Sequence, residues 1–250
     1  MRPNRLREMW AQGRGATNVW LSLGGILSTE IIAHQGWDSL TVDMQHGQAD
    51  FAGMVQMLTA ISTTATVPLV RIPSYDFGDI NRVLDAGAYG VICPNVDTAE
   101  QAERFASACR YAPRGTRSVG PRRAVLYGGN DYLVKANETI LTMAQVESAI
   151  ALKNVHEIAA VKELDVLFIG PSDLGLSLGR QPLADQTDPV VVKAIDEILA
   201  AAKAAGKHAA IYCRSVEYSK QMLAKGFDLV VVTSDDALIS SGAAWAAQFR

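Results

Sequence analysis

Two kinds of hydrophobic pattern alternate along this chain. Eight short runs are apolar at nearly every position, which is typical of parallel strands that are covered on both faces. Longer stretches with apolar residues on one side separate them and predict amphipathic helices. The predicted strands cover residues 18–23, 39–44, 68–72, 90–94, 140–147, 166–170, 208–213 and 229–233.

One helical stretch follows each predicted strand. The predicted helices cover residues 27–35, 51–61, 78–86, 98–109, 148–161, 189–205, 215–224 and 235–248. A strand and a helix repeated eight times predict a closed (β/α)8 TIM barrel. An open doubly wound sheet is the alternative, but the first turn around Gly24 and Gly25 lacks the full dinucleotide-binding fingerprint of that fold.

Two connections are longer than a barrel requires. Residues 110–138 are rich in glycine and proline, which predicts a loop and then a short helix near residues 130–137. Residues 174–188 also contain turn-forming residues, and we expect them to shape the mouth of a pocket. Long loops in compact domains are more often functional than not.

Composition narrows the class of protein. With 250 residues, 49% of them apolar, the chain suits one barrel domain spanning residues 1–250. The net charge of −3 without a block of like charge argues against a nucleic-acid partner. No segment has the length of a membrane span or a signal peptide, and the three cysteines match no metal or disulfide spacing. These features predict a cytoplasmic protein without a membrane partner.

Polar residues gather where the predicted strands end. His46 follows the second strand, Arg71 lies at the end of the third, Gln145 and Glu147 end the fifth, and Asp173 follows the sixth. Barrel enzymes carry their chemistry at the carboxyl ends of the strands, which meet at one rim. Two carboxylates there, Glu147 and Asp173, predict a site for Mg²⁺ or Mn²⁺, because these ions prefer oxygen ligands.

Each of these residues also has a purely structural interpretation. For His46 it is a hydrogen bond to a loop, for Arg71 an ion pair with an acid, and for Asp43 a cap on the turn that follows it. For Asp173 it is a favourable interaction with a helix dipole. Glu147 is hardest to explain structurally, because it shares one face of a buried strand with Gln145. The whole set at successive strand ends favours a catalytic site.

A further feature is the segment Gly170, Pro171, Ser172, which leaves a strand and opens a helix. Free backbone N–H groups at such a position suit a small carboxylate ligand. A cation beside it could chelate a 2-oxo acid through its carboxylate and keto oxygens.

The chain resembles the metal-dependent pyruvate aldolases of the HpcH/HpaI family over nearly its whole length. The resemblance is carried by Val42-Asp43-Met44-Gln45-His46-Gly47, Val70-Arg71, Val83-Leu84-Asp85-Ala86-Gly87-Ala88, residues 110–120, Gln145-Val146-Glu147 and Phe168-Ile169-Gly170-Pro171-Ser172-Asp173-Leu174. Residues 110–120 and the last two segments are specific. Relatives often have Gly-Glu where this chain has Met44-Gln45, so one negative charge beside His46 is missing.

The resemblance implies a role for each candidate. Glu147 and Asp173 match the ligands of a divalent cation, Mg²⁺ or Mn²⁺ with Co²⁺ also possible. His46 matches the base, Arg71 the residue that stabilises the enolate, and Gln145 a hydrogen-bond partner near the metal water. Gly170, Pro171 and Ser172 match the cradle of the donor carboxylate. Asp85 matches a residue that orients the histidine of a neighbouring subunit. The resemblance also implies a homohexamer, a trimer of dimers that exchanges residues 237–248.

The predicted activity is that of a lyase. It is reversible aldol cleavage of a 4-hydroxy-2-oxo acid to pyruvate or hydroxypyruvate and an aldehyde, through a metal-bound enolate. A Schiff-base aldolase is disfavoured because no lysine ends a predicted strand. A phosphosugar isomerase is disfavoured because the turns after strands seven and eight lack glycine. A thioester-cleaving lyase of the malyl-CoA or citryl-CoA type and a non-catalytic 2-oxo acid binding barrel remain open.

Overall fold

Eight parallel strands close on one another in chain order, in a computed structural model that describes residues 1–249. Each strand pairs with the next, and the last pairs with the first, so the predicted (β/α)8 TIM barrel is confirmed. The strands are β1 (Ala16–Leu21), β2 (Ser39–Asp43), β3 (Val67–Arg71), β4 (Gly90–Cys93), β5 (Leu141–Val146), β6 (Val166–Ile169), β7 (His208–Tyr212) and β8 (Leu229–Ser234).

The predicted strand positions agree with the structure to within about two residues at each end. The largest shift is in β1, which was predicted to run to Leu23 but ends at Leu21. The backbone N–H of Leu23 donates to the Asp235 carboxylate, at 3.0 Å, instead of joining the sheet. A side chain from a distant part of the sequence therefore decides where this strand ends.

Helices follow the strands and cover the outside of the barrel. They are α1 (Arg5–Ala11), α2 (Ile26–Ala33), α3 (Phe51–Ile61), α4 (Phe77–Asp85), α5 (Ala99–Ala108), α6 (Arg122–Gly128), α7 (Tyr132–Thr139), α8 (Ala149–Lys153), α9 (Val155–Ala159), α10 (Pro171–Ser177), α11 (Pro189–Ala204), α12 (Val216–Lys225), α13 (Asp235–Ser240) and α14 (Ala243–Ala246). A 3₁₀ turn, Ala247–Phe249, ends the described chain.

Two predicted helices are broken, and two helices were not predicted. The helix predicted over residues 148–161 divides at Asn154 into α8 and α9. The one predicted over residues 235–248 divides at Ser241 and Gly242, where glycine weakens helix continuity. Helix α6 lies inside the connection that was predicted as a loop. Helix α1 begins where the Asn4 side chain accepts a hydrogen bond from Leu6 N, at 3.2 Å.

Glycines in the left-handed region follow two of the helices. Gly87 follows α4 with φ +103°, and Gly226 follows α12 with φ +111°. A side chain at either position would be strained, because this left-handed region is open mainly to glycine. These turns direct the chain back into β4 and β8.

The amino-terminal face of the barrel is held by buried charges. Arg110 is fully buried and donates to Asp165 Oδ2, at 2.7 Å, and to the carbonyl oxygen of Ile140, at 2.9 Å. Trp10 of α1 donates its ring N–H to the Asp228 carbonyl oxygen, at 2.8 Å. These contacts join segments that precede β5, β6 and β8, so this face serves stability, as is usual for such barrels.

Gly90 of β4 packs closely against the two neighbouring strands of the barrel. A Cβ atom at this position would lie 2.7 Å from Leu69 Cδ2 and 3.2 Å from Leu141 Cβ, on the two neighbouring strands. We expect Gly90→Ala to lower the free energy of unfolding by about 1–3 kcal/mol because the added methyl overpacks the barrel. Urea unfolding followed by circular dichroism measures this loss.

Gly53→Ala is the matched control. Gly53 lies in α3, and its added Cβ would approach Asp50 Oδ1 no closer than 3.3 Å. Alanine is favoured over glycine in a helix by up to about 1 kcal/mol, so this variant should be at least as stable as the wild type. If Gly90→Ala matched the stability of Gly53→Ala, the interior packing described here would be wrong.

Candidate active site

The Glu147 carboxylate is buried directly after β5. Only 5% of the residue is exposed. Its Oε1 accepts a hydrogen bond from the backbone N–H of Asn95, at 2.9 Å, and its Oε2 accepts one from Gln145 Nε2, at 2.5 Å. Burial raises the pKa of Glu147, and the negative charge of Asp173 raises it further, whereas the two hydrogen bonds lower it. The net result is a carboxylate that the protein alone stabilises incompletely.

Gly170 brings the next strand close to this carboxylate. A Cβ atom at position 170 would lie 2.5 Å from Glu147 Oε2 and 2.9 Å from Gln145 Nε2. No side chain fits there, so the backbone after β6 rests directly against the acid. Pro171 and Ser172 then begin α10, as the sequence predicted.

Gln145 leaves one polar atom without a partner. The residue is 3% exposed, and its Nε2 is bonded to Glu147, but its Oε1 has no hydrogen-bond partner within residues 1–249. Buried side-chain oxygens are nearly always hydrogen-bonded in proteins, so an orphan of this kind marks a place for a water or a ligand. It lies beside the two carboxylates.

Asp173 occupies the first turn of α10 and is exposed. Its structural interpretation, a favourable interaction with the helix dipole, is thus compatible with its position. Its charge also reaches Glu147, whose pKa it raises. Within residues 1–249 no group of three or more histidine, cysteine or acidic side chains is placed to hold a metal ion.

Arg71 lies across the pocket from these acids and is held by Asp43. The two residues are direct partners in the register of β2 and β3. Arg71 donates from Nε to Asp43 Oδ1, at 2.9 Å, and from Nη2 to Oδ2, at 2.7 Å. The Trp20 ring N–H donates to the same carboxylate, at 3.1 Å, and the Arg71 guanidinium lies 4.8 Å from the Trp20 ring centre. The orientation of the Arg71 guanidinium is therefore fixed by both Asp43 and Trp20.

The same carboxylate shapes the turn that carries His46. Asp43 Oδ1 accepts from the backbone N–H of Gln45, at 3.0 Å, and of His46, at 3.4 Å. Burial alone would raise the pKa of Asp43, but the ion pair with Arg71 and the hydrogen bonds hold it below its ordinary value. The His46 ring is exposed to the pocket and makes no hydrogen bond within the described chain. Both structural interpretations, an ion pair for Arg71 and a turn cap for Asp43, are thus correct.

One pocket of about 330 Å³ collects most of the predicted residues. His46, Arg71, Gln145, Gly170, Pro171, Ser172 and Asp173 line it, and the Glu147 carboxylate lies against Gln145 and Gly170. The other lining residues were not predicted. They are Trp20, Ser22, Phe168, Tyr212, Cys213, Arg214, Thr233, Ser234, Asp236 and Ala237. No lysine lines the pocket within residues 1–249, which removes the residue that a Schiff-base aldolase needs.

Asp85 lies elsewhere. It is the last residue of α4, at the amino-terminal end of the strands, and its Oδ1 accepts from Arg117 Nη2, at 2.8 Å. The Arg117 side chain is fully buried and lies against the rings of Tyr111 and Tyr132. Asp85 therefore cannot serve the pocket of its own chain, and its predicted role toward a neighbouring subunit stays a prediction.

Asp235 is a buried acid whose role was missed. It follows β8, is 1% exposed, and accepts from the backbone N–H groups of Ser22, at 2.9 Å, and Leu23, at 3.0 Å. It ties the loop after β1 to the end of β8 at the rim of the pocket. The only signal in the sequence was a pair of acids at a strand end, Asp235 and Asp236, which does not specify a partner.

A barrel with acids, a fixed arginine and a free imidazole at the carboxyl ends of its strands has the arrangement of a barrel enzyme. A profile of the HpcH/HpaI aldolase/citrate lyase family matches residues 17–241. A hydroxypyruvate/pyruvate aldolase of Rhizorhabdus wittichii is 44% identical over 240 residues, 96% of each chain. A 5-keto-4-deoxy-D-glucarate aldolase of Escherichia fergusonii is 35% identical, over 96% of this chain and 94% of that protein.

A solved structure shares this backbone closely. An HpcH/HpaI aldolase/citrate lyase family protein of Burkholderia cenocepacia superposes with a TM-score of 0.90 at 32% identity, over 98% of each chain. This chain belongs to the HpcH/HpaI aldolase/citrate lyase family, as the resemblance predicted. No helix within residues 1–249 is both long enough and apolar enough to cross a membrane.

The Asp43–Arg71 pair makes a pH-dependent contribution to stability. Since the pKa of Asp43 is lowered in the folded state, this contribution is complete above the ordinary pKa of about 4 and is lost as pH falls further. Asp43→Asn should therefore cost about 3 kcal/mol near pH 6, as expected for breaking a buried ion pair, and progressively less below pH 4. Urea unfolding of both proteins at several pH values measures the difference.

Asp50→Asn is the control for this measurement. Asp50 caps α3 at an exposed position, where its side chain accepts from Gly53 N, and asparagine caps helices equally well. A constant stability difference between wild type and Asp43→Asn from pH 6 to pH 3 would contradict the assignment of the ion pair.

Proposed function

We propose that this protein is a carbon–carbon lyase that cleaves 4-hydroxy-2-oxo acids reversibly to pyruvate or hydroxypyruvate and an aldehyde, within one domain spanning residues 1–250. The observation that carries this is that Asp173, Arg71 and His46 line one pocket of a barrel in this family, with Glu147 packed directly behind the lining residues Gln145 and Gly170. The names of the two curated relatives, a hydroxypyruvate/pyruvate aldolase and a 5-keto-4-deoxy-D-glucarate aldolase, agree with this class of reaction.

The residues at the end of β5 and the start of α10 suit a divalent cation. Glu147 and Asp173 bring two negative charges together, and burial of Glu147 makes that arrangement costly. The orphan Gln145 Oε1 would accept a hydrogen bond from a water on the ion. Two carboxylates and water suit Mg²⁺, Mn²⁺ or Co²⁺. When bound, the ion would supply Lewis-acid polarisation of the substrate keto oxygen.

Arg71 stabilises the negative charge that develops on the donor. Its Nε and Nη2 are used by Asp43, which leaves Nη1 without a hydrogen bond inside the described chain and free for a substrate oxygen. Because Asp43 and Trp20 already fix the guanidinium, little reorganisation is needed when the enolate forms.

His46 acts as the general base for the C4 hydroxyl proton of the substrate. In cleavage its neutral imidazole removes the proton from the C4 hydroxyl, directly or through one water, and the C4–O bond becomes a carbonyl. The C3–C4 bond breaks, its electron pair stays with C3 as the enolate, and the aldehyde leaves. A proton then returns to C3 to give pyruvate. Condensation runs the same steps backwards. The exposed ring without protein partners is consistent with this exchange.

The donor carboxylate is assigned to Gly170, Pro171 and Ser172. The Gly170 backbone lies against Glu147, and Pro171 and Ser172 open α10 at the pocket, where backbone N–H groups suit a small carboxylate. We further propose a homohexamer in which Asp85 of one subunit, held by Arg117, orients His46 of another, and residues 237–248 are exchanged. The short helix α14 has no buried residue and exposes Trp245, which suits a segment that packs against another subunit. A cytoplasmic location completes the proposal.

The metal assignment predicts the behaviour of two variants. Glu147→Gln and Asp173→Asn should lower turnover by at least about 100-fold and abolish the response to added Mn²⁺, because each removes a charged ligand. Aldol turnover with and without a chelator, together with calorimetric titration of Mn²⁺ in the presence of oxalate, measures both effects. Asp196→Asn, an exposed acid paired with Lys225, is the control. Either variant with full turnover and unchanged Mn²⁺ binding would overturn the ligand assignment.

A second prediction separates an aldolase from a barrel that only binds 2-oxo acids. The enzyme should exchange the C3 protons of pyruvate with solvent deuterium, and the exchange should stop when divalent ions are chelated. His46→Asn should retain Mn²⁺ and oxalate binding but lose aldol cleavage by about 100-fold or more, because the base is gone while the charges remain. Proton NMR follows the exchange, and a protein that binds pyruvate without exchange or cleavage would not be an aldolase.

A further inference from the structure

The wall of the pocket that follows β7 and β8 carries two charges that the proposed mechanism does not use. Arg214 follows β7, and Asp236 is the second residue of α13. Both residues are exposed and line the pocket. No acidic group lies within 4 Å of the Arg214 guanidinium in the described residues, so neither Asp236 nor Asp185 neutralises it. A cation without an internal partner at a substrate pocket is available to a ligand.

The backbone at Arg214 is nevertheless fixed. Its N–H donates to Asp185 Oδ1, at 2.7 Å, in the long connection after α10. The main chain of Arg214 is thus fixed by a hydrogen bond, whereas its side chain has no ion-pair partner in the described residues. Asp236 is positioned in the same way, because its N–H donates to Asp235 Oδ1, at 2.9 Å. Both charges therefore project from fixed points on the rim.

Tyr212 and Trp20 connect this wall to the catalytic arginine. The Tyr212 ring lies edge-on to the Trp20 ring, with 5.6 Å between centres, and Arg71 lies over Trp20. Burial raises the pKa of Tyr212, Asp236 raises it further, and Arg214 and Arg71 lower it. All three charges thus act on the same hydroxyl. Arg214 follows β7, one strand further round the barrel than the proposed donor site at Gly170 and Ser172, which follow β6.

The position of Arg214 matches the acceptor end of the substrate. The donor occupies the floor between β5 and β6, and the pocket of about 330 Å³ leaves room beyond a three-carbon donor. Tyr212, Arg214 and Asp236 line the part of the pocket after β7 and β8, so an aldehyde that meets the enolate from this side would turn its remote group toward the two charges. A guanidinium recognises carboxylates through charge-assisted, often paired hydrogen bonds.

We propose that Arg214 is the specificity-determining residue for the aldehyde, selecting aldehydes that carry a carboxylate, with Asp236 opposing that selection. This inference rests on the proposed aldolase function. Arg214 binds the remote carboxylate and takes no part in bond cleavage. Asp236 repels the same group, so the preference for an anionic aldehyde is set by the balance of the two side chains.

The test compares succinate semialdehyde with butanal, which have the same number of carbon atoms and differ in charge, using pyruvate as donor and saturating Mn²⁺. The measured quantity is the ratio of kcat/KM for the two aldehydes. Arg214→Gln should lower this ratio about ten-fold or more, because an ion pair with the substrate is lost. Arg214→Lys should restore part of it, and Asp236→Asn should raise it above the wild-type value.

Arg180→Gln is the matched control, because Arg180 is also an exposed arginine after α10 but pairs with Asp188 and does not line the pocket. It should leave the ratio unchanged. An unchanged ratio in Arg214→Gln, or a raised KM for pyruvate with both aldehydes affected equally, overturns the assignment of Arg214 to the acceptor. Wild-type protein without turnover on either aldehyde and without pyruvate exchange overturns the proposed function instead.

Discussion

The buried charge of Glu147 is the constraint around which the rest of the site is arranged. The fold places this carboxylate at the junction of β5 and β6, where burial opposes ionisation and Asp173 adds a second negative charge. Two hydrogen bonds and the charge of Arg71 compensate it in part. Such an arrangement lowers stability, and proteins accept that cost at functional sites. Gly170 is part of the same arrangement, because any side chain there would displace the acid.

The side of the pocket formed by Asp43 and Arg71, at the ends of β2 and β3, differs in how its buried charge is stabilised. Asp43 is also buried, but Arg71, Trp20 and the turn of His46 satisfy its oxygens, so its charge is stabilised in the folded state. One wall therefore carries an unsatisfied negative charge and the other a fixed positive one. A small 2-oxo acid with a cation fits between such walls, since its oxygens can reach both. The Asp43 carboxylate positions both the His46 turn and the Arg71 guanidinium, because both donate hydrogen bonds to it.

The two ends of the barrel use similar residue types for different purposes. At the amino-terminal end Arg110 is buried against Asp165 and joins segments of the chain. Residues 110–120, which supported the resemblance, pack at this end, where Arg117 donates to Asp85. At the carboxyl-terminal end the charges of Arg71, Asp173 and Arg214 face a pocket. Charges that are fully paired stabilise the fold, and charges left facing open space are available for ligands.

The sequence by itself determined the order of strands and helices, the barrel they form and the rim on which His46, Arg71, Gln145, Glu147 and Asp173 gather. These follow from local hydrophobic period, helix-ending glycines and the rule that parallel strands end at one face. Only the tertiary structure decided that Asp43 holds Arg71, that Asp235 ends β1 at Leu21, and that Arg214 and Asp236 complete the pocket. Those contacts join residues far apart in the chain, and hydrogen-bond partners across strands depend on register and distance, which periodicity does not encode.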